Sequence, residues 1–457
     1  MSSSSKVRAF FKMSPAKYIL LSFASLILIG AFLLCLPISN VNGEWRSFVD
    51  ALFSSTTSVC VTGLMTIDIA TELTLFGEFV VLLLIQIGGL GFVTSASLIY
   101  MLIGKKINYQ TRMTLQESLN TDDNAGILKT VRHIFVITAI CEFAGFLMLL
   151  PSMIKFSGGF WSGSFKALFL SISAFCNAGI DPLGPATADF SNLAVFSTDA
   201  SVLIPLMFLI IMGGIGFIVV IDVIFRPQKT RKLTMHTKVV LFMTAILILF
   251  GAIVFMCAEW NNPKTFGSMS TFDKITNSFF QSVTTRTAGF STINQGDLTQ
   301  LSIMISTILM FIGGSPMSVA GGIKTTTFFI LLLILFKNQD QNGNIIHDGK
   351  KITNKILTKA VRITLIAVSL LFVGVLIIYL CEGGAFGIQS LIYEVVSAIC
   401  TVGLSFGITP VLGTMSKLVL VILMYVGRVG MLTIPLAFKQ KETNSAIEYV
   451  NAKITVG

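Results

Sequence analysis

Four short stretches of the 457-residue chain share a pattern that could do chemistry: residues 59–64, 175–180, 285–290 and 399–404. Each holds one glycine, preceded by small or hydroxyl-bearing residues and followed by a large apolar one. The glycines Gly63, Gly179, Gly289 and Gly403 lie 116, 110 and 114 residues apart, and an aromatic ring stands ten residues before each: Phe53, Phe169, Phe279 and Tyr393. Four copies with one shared offset describe a fourfold internal repeat. None of the stretches carries a carboxylate, so an acidic ring suited to divalent ions is not supported. The chemistry must come from the main chain. Glycine permits extended backbone free of side chains, and a ring of carbonyl oxygens can replace the water around a monovalent cation. The residues placed to form such a ring are Val61, Thr62 and Gly63, Asn177, Ala178 and Gly179, Thr287, Ala288 and Gly289, and Thr401, Val402 and Gly403. Asn177 and Arg286 break strict equivalence, as copies that diverged within one polypeptide would.

The elements that hold these stretches must be membrane helices. With 54% hydrophobic and only 12% charged residues, the chain lies far outside the soluble globular range. Eight apolar runs can be marked, at 18–36, 79–103, 134–150, 202–221, 239–258, 301–336, 363–381 and 418–438. A spanning helix needs about 20 residues, so most qualify, while the 36-residue run 301–336 is too long for one straight crossing. Each quarter of the chain places a segment of about ten residues between two runs (48–57, 165–175, 272–284, 388–399), half of what crossing requires. Such a segment enters the membrane and turns back, which is tolerated only where protein or a water-filled cavity supports its end. Because each quarter contains two complete crossings, all four point the same way. Four parallel copies can close around an axis along the membrane normal and bring their re-entrant ends together.

Charge placement gives the topology. If the runs alternate across the bilayer, 23 of the 32 Lys and Arg fall on the side that holds both termini, which the positive-inside bias makes cytoplasmic. The net charge of +10 therefore reports topology and attraction to anionic lipid heads, not nucleic acid. The basic N-terminus lacks a small-residue cleavage pattern, so no removable signal is expected. The seven cysteines show no CxxC or metal-ligand spacing, which leaves buried thiols and not a disulfide framework. No Ser-His-Asp spacing, HExxH or phosphate-binding loop can be found; an enzyme is not expected, and this chain is expected to bind no nucleotide.

The second run of each quarter carries its own aligned signal: Gly88-Gly89-Leu90-Gly91, Gly213-Gly214-Ile215-Gly216, Gly313-Gly314-Ser315-Pro316 and Gly427-Arg428-Val429-Gly430. Small residues let membrane helices pack closely, and for the first two copies packing stands beside a functional role. The third concentrates helix breakers, Gly313, Gly314, Pro316, Gly321 and Gly322 around Ser315, within the overlong run, so that helix is expected to break. Lys324 follows it and Arg428 replaces a glycine of the other copies; both charges need water or a partner at that depth. Arg428 and the 313–323 segment are the candidate halves of a gate, since a permanent positive charge facing a path raises the barrier to cations. Glu142 is the remaining charge inside a run; a basic residue such as Lys324 could pair with it, or it could cap a neighbouring break.

The chain resembles the Trk/Ktr/HKT superfamily of potassium transporters, most closely its bacterial KtrB-type membrane subunits. The resemblance runs from Pro15 to the last apolar run. It rests on Thr62-Gly63-Leu64, Phe175-Cys176-Asn177-Ala178-Gly179, Thr284-Thr285-Arg286-Thr287-Ala288-Gly289-Phe290 and Thr401-Val402-Gly403-Leu404, with Gln86-Ile87-Gly88-Gly89-Leu90-Gly91-Phe92 and Gly427-Arg428. It implies K+ as the transported ion, held at a simplified selectivity filter containing the four glycines, and an intramembrane gating loop. Members with serine at the first filter glycine favour Na+, so Gly63 points to K+. The resemblance also implies a homodimer of membrane subunits resting on a cytosolic ring of RCK-type, KtrA-like regulatory subunits, with the C-terminal tail at the dimer interface and Na+ as activator or co-ion.

The expected architecture is all-α and multi-pass in the cell membrane: four parallel helix–pore-helix–helix repeats around a pseudo-fourfold pore. The expected boundaries are a cytoplasmic N-terminus (1–15), repeats at 16–104, 105–225, 226–337 and 338–438, and a cytoplasmic tail (439–457). The alternative is a secondary cation symporter with alternating access, whose usual marks are buried coupling carboxylates and inverted repeats.

Overall fold

The computed structural model describes residues 14–91, 94–97, 109–118, 127–184, 192–225, 232–337, 339–340, 343–431 and 433. The N-terminal segment 1–13, Phe92, the quarter boundary at 104–105 and the tail 439–457 lie outside these residues.

Four long helices form where the apolar runs are uninterrupted: α1 (Pro15–Cys35), α5 (Ile127–Ser157), α9 (Met235–Glu259) and α13 (Asn354–Cys381). α1 opens on a proline in its first turn, where the missing N–H is no loss, and α9 is capped by the Thr234 hydroxyl, which accepts from the Thr237 N–H. Each long helix leads into a short one: α2 (Phe48–Cys60), α6 (Phe160–Phe175), α10 (Thr271–Thr284) and α14 (Ile388–Ile399). A third helix follows in each quarter: α3 (Leu75–Leu90), α7 (Ala200–Ile215), α11 (Gln300–Phe311) and α15 (Thr414–Val429). A further helix α4 (Tyr109–Ser118) precedes α5 in the second quarter, α8 (Phe217–Ile224) follows α7, and α12 (Thr325–Phe336) follows α11.

Packing joins the units in a closed cycle. Every short helix packs on the long helix before it, and every third helix packs on the short helix of the next unit: α3 on α6, α7 on α10, α11 on α14 and α15 back on α2. A second set of glycines permits the first of these approaches. Gly30, Gly145 and Gly251 on the long helices leave room for Ser55, Ser171 and Ser282 on the short ones. Those hydroxyls donate to the carbonyls of Ile27, Glu142 and Ile248, at 2.7, 2.5 and 2.7 Å. In the fourth unit the pair is Gly374 and Val395, an apolar contact. Small residues and a hydroxyl-to-carbonyl bond are what hold helices together where lipid supplies no hydrophobic drive.

The second-run helices end at glycine or at a loop in every quarter: α3, α7 and α15 end at Gly91, Gly216 and Gly430, and α11 ends before a loop at 312–324. Gly216 shows the reason. Its φ of 100° is closed to a residue with a Cβ, and α7 and α8 meet there at 96°. Among the described residues, four helices are therefore long and apolar enough to cross a membrane, or five counting this bent pair. The segment between α12 and α13 carries structure of its own. It holds an antiparallel hairpin, β1 (Ile345–His347) with β2 (Lys350–Ile352), whose Ile345 and Ile352 pack with Leu333 and Leu357.

The closeness of these helices makes a testable demand. A Cβ on Gly213 would collide with the Phe175 carbonyl oxygen at the end of α6, whereas a Cβ on Gly214 meets only ordinary contact, at 3.5 Å from Asn177. Gly213→Ala should cost ~1–3 kcal/mol by overpacking and lower the thermal-unfolding midpoint of the detergent-solubilised protein; Gly214→Ala should lower it much less.

Candidate functional site

The four short helices end at one place. A Cβ built on Gly63 would lie 2.6 Å from the Ala178 carbonyl oxygen, and one on Gly179 would lie 2.6 Å from that of Ala288. In the same sense Gly289 faces the Val402 oxygen and Gly403 faces the Thr62 oxygen. The cycle closes: each glycine adjoins the carbonyl of the residue before the next glycine. The Gly403 and Gly63 α-carbons approach both each other and their other neighbours, which leaves no side chain room in the ring. All twelve candidate ring residues are therefore brought together.

The backbone there is strained in the same way four times. Two residues before each glycine, Val61, Asn177, Thr287 and Thr401 adopt the left-handed region, with φ of 56, 57, 67 and 48°. For β-branched Val61, Thr287 and Thr401 this is an outlier costing ~1–3 kcal/mol, of the sort that persists only where surroundings impose it. The surroundings are helix ends. In units one, two and four the last turn closes with paired bonds, Thr62 N–H to Thr57 and Val61 N–H to Ser58 in the first, and the same pattern at Ala178 with Ser173 and at Val402 with Ser397. In the third unit Ala288 N–H reaches only four residues back, to Thr284. α10 is thereby one residue out of register with its counterparts. The buried aromatic ring is Phe280, while Phe279, expected from the shared offset, is 37% exposed.

The same residues supply a set of braces that the sequence reading missed. Thr57 Oγ1 accepts from the Gly63 N–H at 2.9 Å, and Ser397 Oγ accepts from the Gly403 N–H at 3.0 Å. Ser173 Oγ donates to the Ile180 carbonyl at 2.6 Å and also accepts from the Ile180 N–H, while Thr284 Oγ1 donates to the Phe290 carbonyl at 2.6 Å. The signal was present: a hydroxyl stands six residues before the glycine in three copies and five before it in the third. Three other hydroxyls at the ring, those of Thr62, Thr287 and Thr401, are buried without a protein partner.

One face of the ring opens into a cavity of about 430 Å³, whose lining includes all four glycines with Asp68, Asp181 and Gln295. Burial pushes the Asp181 carboxyl up to about 6, which still leaves it mostly ionised at neutral pH. Neither aspartate was singled out from sequence. Glu394 braces the cavity wall: its carboxylate accepts from the Phe406 N–H at 3.1 Å, the Thr409 hydroxyl at 2.9 Å and the Ser405 hydroxyl.

On another side the 312–324 loop lies against the ring. A Cβ on Gly321 would meet the Thr401 hydroxyl and the Cys400 carbonyl, and the Ser315 and Val319 N–H groups donate to Gly214 and Gly213 of α7. Arg428 ties the loop in place. Its guanidinium donates to the Val319 carbonyl and to those of Gly88 and Gly89 at the end of α3. Lys324 turns back on the loop and donates to the Ala320 carbonyl. It does not pair with Glu142, whose carboxylate accepts instead from Gln86 Nε2 at 3.2 Å. The candidate gate residues Gly313, Gly314, Ser315, Pro316, Gly321, Gly322, Lys324 and Arg428 thus belong to the loop or to contacts with it.

Residues 15–448 match the family model described as "TrkH: Cation transport protein". The chain is 36% identical to the "Ktr system potassium uptake protein B" of Bacillus subtilis, covering 99% of each chain. It is 35% identical to the "Potassium/sodium uptake protein NtpJ" of Enterococcus hirae, covering 97% of each. Among solved structures, the potassium transporter TrkH from Vibrio parahaemolyticus shares the fold, with a TM-score of 0.70 at 17% identity over 94% of this chain and 86% of that one.

The braces can be tested one at a time. Thr57→Val keeps the side-chain shape but leaves the Gly63 N–H unpartnered, which should cost ~1–3 kcal/mol. The midpoint of thermal unfolding should fall for Thr57→Val and be retained by Thr57→Ser.

Proposed function

The chain belongs to the TrkH family of cation transport proteins, and from that premise we propose that it is the potassium-translocating subunit of a channel-like uptake system. The observation that carries this reading is the closed cycle of four glycines with a backbone carbonyl beside each. It supports a selectivity filter in which the carbonyls of Val61, Thr62 and Gly63 and their counterparts in the other three units take the place of water around K+. The unpartnered Thr62, Thr287 and Thr401 hydroxyls fit a site frequented by an ion and water, since buried polar groups otherwise find partners.

The field around the ring favours a cation on one side. The C-terminal ends of α2, α6, α10 and α14 run into the ring stretches, and each helix end carries roughly half a negative charge. Asp68 and Asp181 in the cavity add to the attraction, and a cleft lined by one sign of charge concentrates its counter-ion. The cavity is therefore the outer vestibule, α2, α6, α10 and α14 are pore helices of four parallel repeats, and both termini are cytoplasmic.

The 312–324 loop, fastened by Arg428, is the gate beneath the filter. Two elements act together: the loop obstructs the path, and the guanidinium both fixes the loop and opposes cations. The membrane subunits pair as a homodimer, and control by nucleotide comes from a cytosolic RCK-type ring. The names of its relatives, one a Ktr-system subunit and one a potassium/sodium uptake protein, are in keeping with such a partner and with Na+ as activator or co-ion.

Two variants test the filter and the gate separately, in potassium and sodium uptake by a transport-deficient host. Gly63 has φ of 99° with the Ala178 oxygen where a Cβ would stand, so Gly63→Ser should displace the ring and reduce K+ over Na+ preference about tenfold, the equivalent of ~1.4 kcal/mol; unchanged preference would exclude Gly63 from the filter. Arg428→Ala should raise flux with preference retained, and a fall in flux in correctly folded protein would exclude the barrier role.

A further inference from the structure

Arg286 belongs to the third glycine stretch but has no task in the reading above. Three residues before the glycine the other units carry a thiol, Cys60, Cys176 and Cys400, and the third carries this guanidinium. All four side chains are buried. Each thiol is a sufficient filler there, so packing alone does not call for a charge. Among the described residues Arg286 makes no ion pair, and its Nε has no partner. A buried cation without a carboxylate is costly to retain, so its two hydrogen bonds are the evident return for its presence.

Those bonds go to particular carbonyls. Nη2 donates to the Gly313 carbonyl at 3.2 Å and Nη1 to the Thr244 carbonyl of α9 at 3.3 Å. Gly313 is the second residue past the end of α11, where the gating loop begins. A cation there satisfies a carbonyl of the loop just past the helix and sits near the negative end of the helix dipole. The far limb of the loop rests on the fourth stretch, with Gly321 against Thr401 and Cys400. The loop is thus attached to the ring at both ends, through a side chain at its start and through backbone contact near its finish.

We propose that Arg286 is a positioning residue that fastens the hinge of the gating loop to the third filter stretch, so that the ion held at the ring and the position of the loop are coupled. This rests on the filter and gate reading above. Arg286 is one residue from Thr287, whose left-handed backbone begins the ring. A shift of the third stretch on ion binding moves the guanidinium, and with it the point from which the loop departs. Conversely, loop movement about Gly313 pulls on the stretch.

The test uses the full-length protein in liposomes, with K+ and Na+ uptake measured for wild type, Arg286→Gln, Arg428→Ala and the double variant. Arg286→Gln should both raise uptake and lower the K+/Na+ ratio, each by about fivefold or more, the lower end of ordinary coupling between sites. The two substitutions should raise uptake by less than the product of their separate effects, because both release one loop. Loop position is read directly from thiol labelling of Ser318→Cys in a background where the exposed Cys257 and Cys381 are serine. K+ should change the labelling rate in the wild-type background and not in Arg286→Gln. A lowered ion ratio with K+-dependent labelling intact would make Arg286 a filter support alone and overturn the coupling, as would multiplicative uptake rates. If Arg286→Gln does not fold, Arg286→Lys, which keeps the charge but cannot span both carbonyls, is put through the same measurements. Gly63→Ser separates the two levels: an unchanged ion ratio there removes the filter reading itself, while a changed ratio there with a wild-type Arg286→Gln removes only the coupling.

Discussion

The structure depends on bringing four stretches of main chain together in a narrow ring that leaves no room for side chains. Bare backbone in a low-dielectric interior must have its polar groups satisfied, or each costs several kcal/mol. The protein meets this by ending four helices at the ring and fixing each end twice, once with helix-closing bonds and once with a hydroxyl at Thr57, Ser173, Thr284 or Ser397. The strain at Val61, Thr287 and Thr401 is sustained by that double attachment. Outward from the ring the same demand propagates. The short helices must be close to their neighbours, so the long helices carry Gly30, Gly145, Gly251 and Gly374, and the third helices carry Gly88, Gly213 and Gly427 against the last carbonyls of α2, α6 and α14.

The third unit departs from this scheme in several ways that belong together. α10 closes with a four-residue reach instead of paired bonds, its buried ring moves to Phe280, its thiol position holds Arg286, and its third helix is interrupted for thirteen residues. A helix shifted by one residue presents a different side to its neighbours, and the hydroxyl brace shifts with it to Thr284. Gly313 correspondingly faces Gly321 of its own loop, whereas its counterparts Gly88, Gly213 and Gly427 face the end of a short helix. The one unit that lets go of that contact is the one that carries the mobile part of the proposed mechanism.

Much of this was legible in the sequence because repetition exposes spacing. The four glycines, the short segments before them and the broken third helix follow from counting residues and from the length a crossing needs. Four things were hidden for physical reasons. The left-handed conformations fall on β-branched residues whose own preference is extended, so propensity argues against them. The breaks at Gly91 and Gly216 lie in sequences that also read as close-packing motifs, and only the fold distinguishes a glycine that admits a neighbour from one that bends the chain. The register slip of α10 preserves the glycine spacing and displaces only the residues before it, which is why Phe279 matched the pattern yet faces outward. Asp68, Asp181 and the hairpin at 345–352 are brought into place by tertiary structure, with no local mark.

The charges around the ring complete the physical account. On the cavity side lie Asp68 and Asp181; on the loop side lie Arg286, Lys324 and Arg428, each bonded to backbone carbonyls and none in an ion pair among the described residues. Carbonyls can hold a guanidinium in place but cannot neutralise it, so in the proposed mechanism the two arginines retain their effect on a passing ion. On the proposed path, a cation drawn in from the cavity would therefore meet a rising potential beyond the ring. Arg428 is attached to the loop through Val319 and to α3 through Gly88 and Gly89, so in the proposed gate moving the loop aside would break one of the three bonds that hold this charge. The proposed steric and electrostatic barriers would thus be joined at the Arg428–Val319 bond, so that removing either half alone would leave the other incompletely positioned.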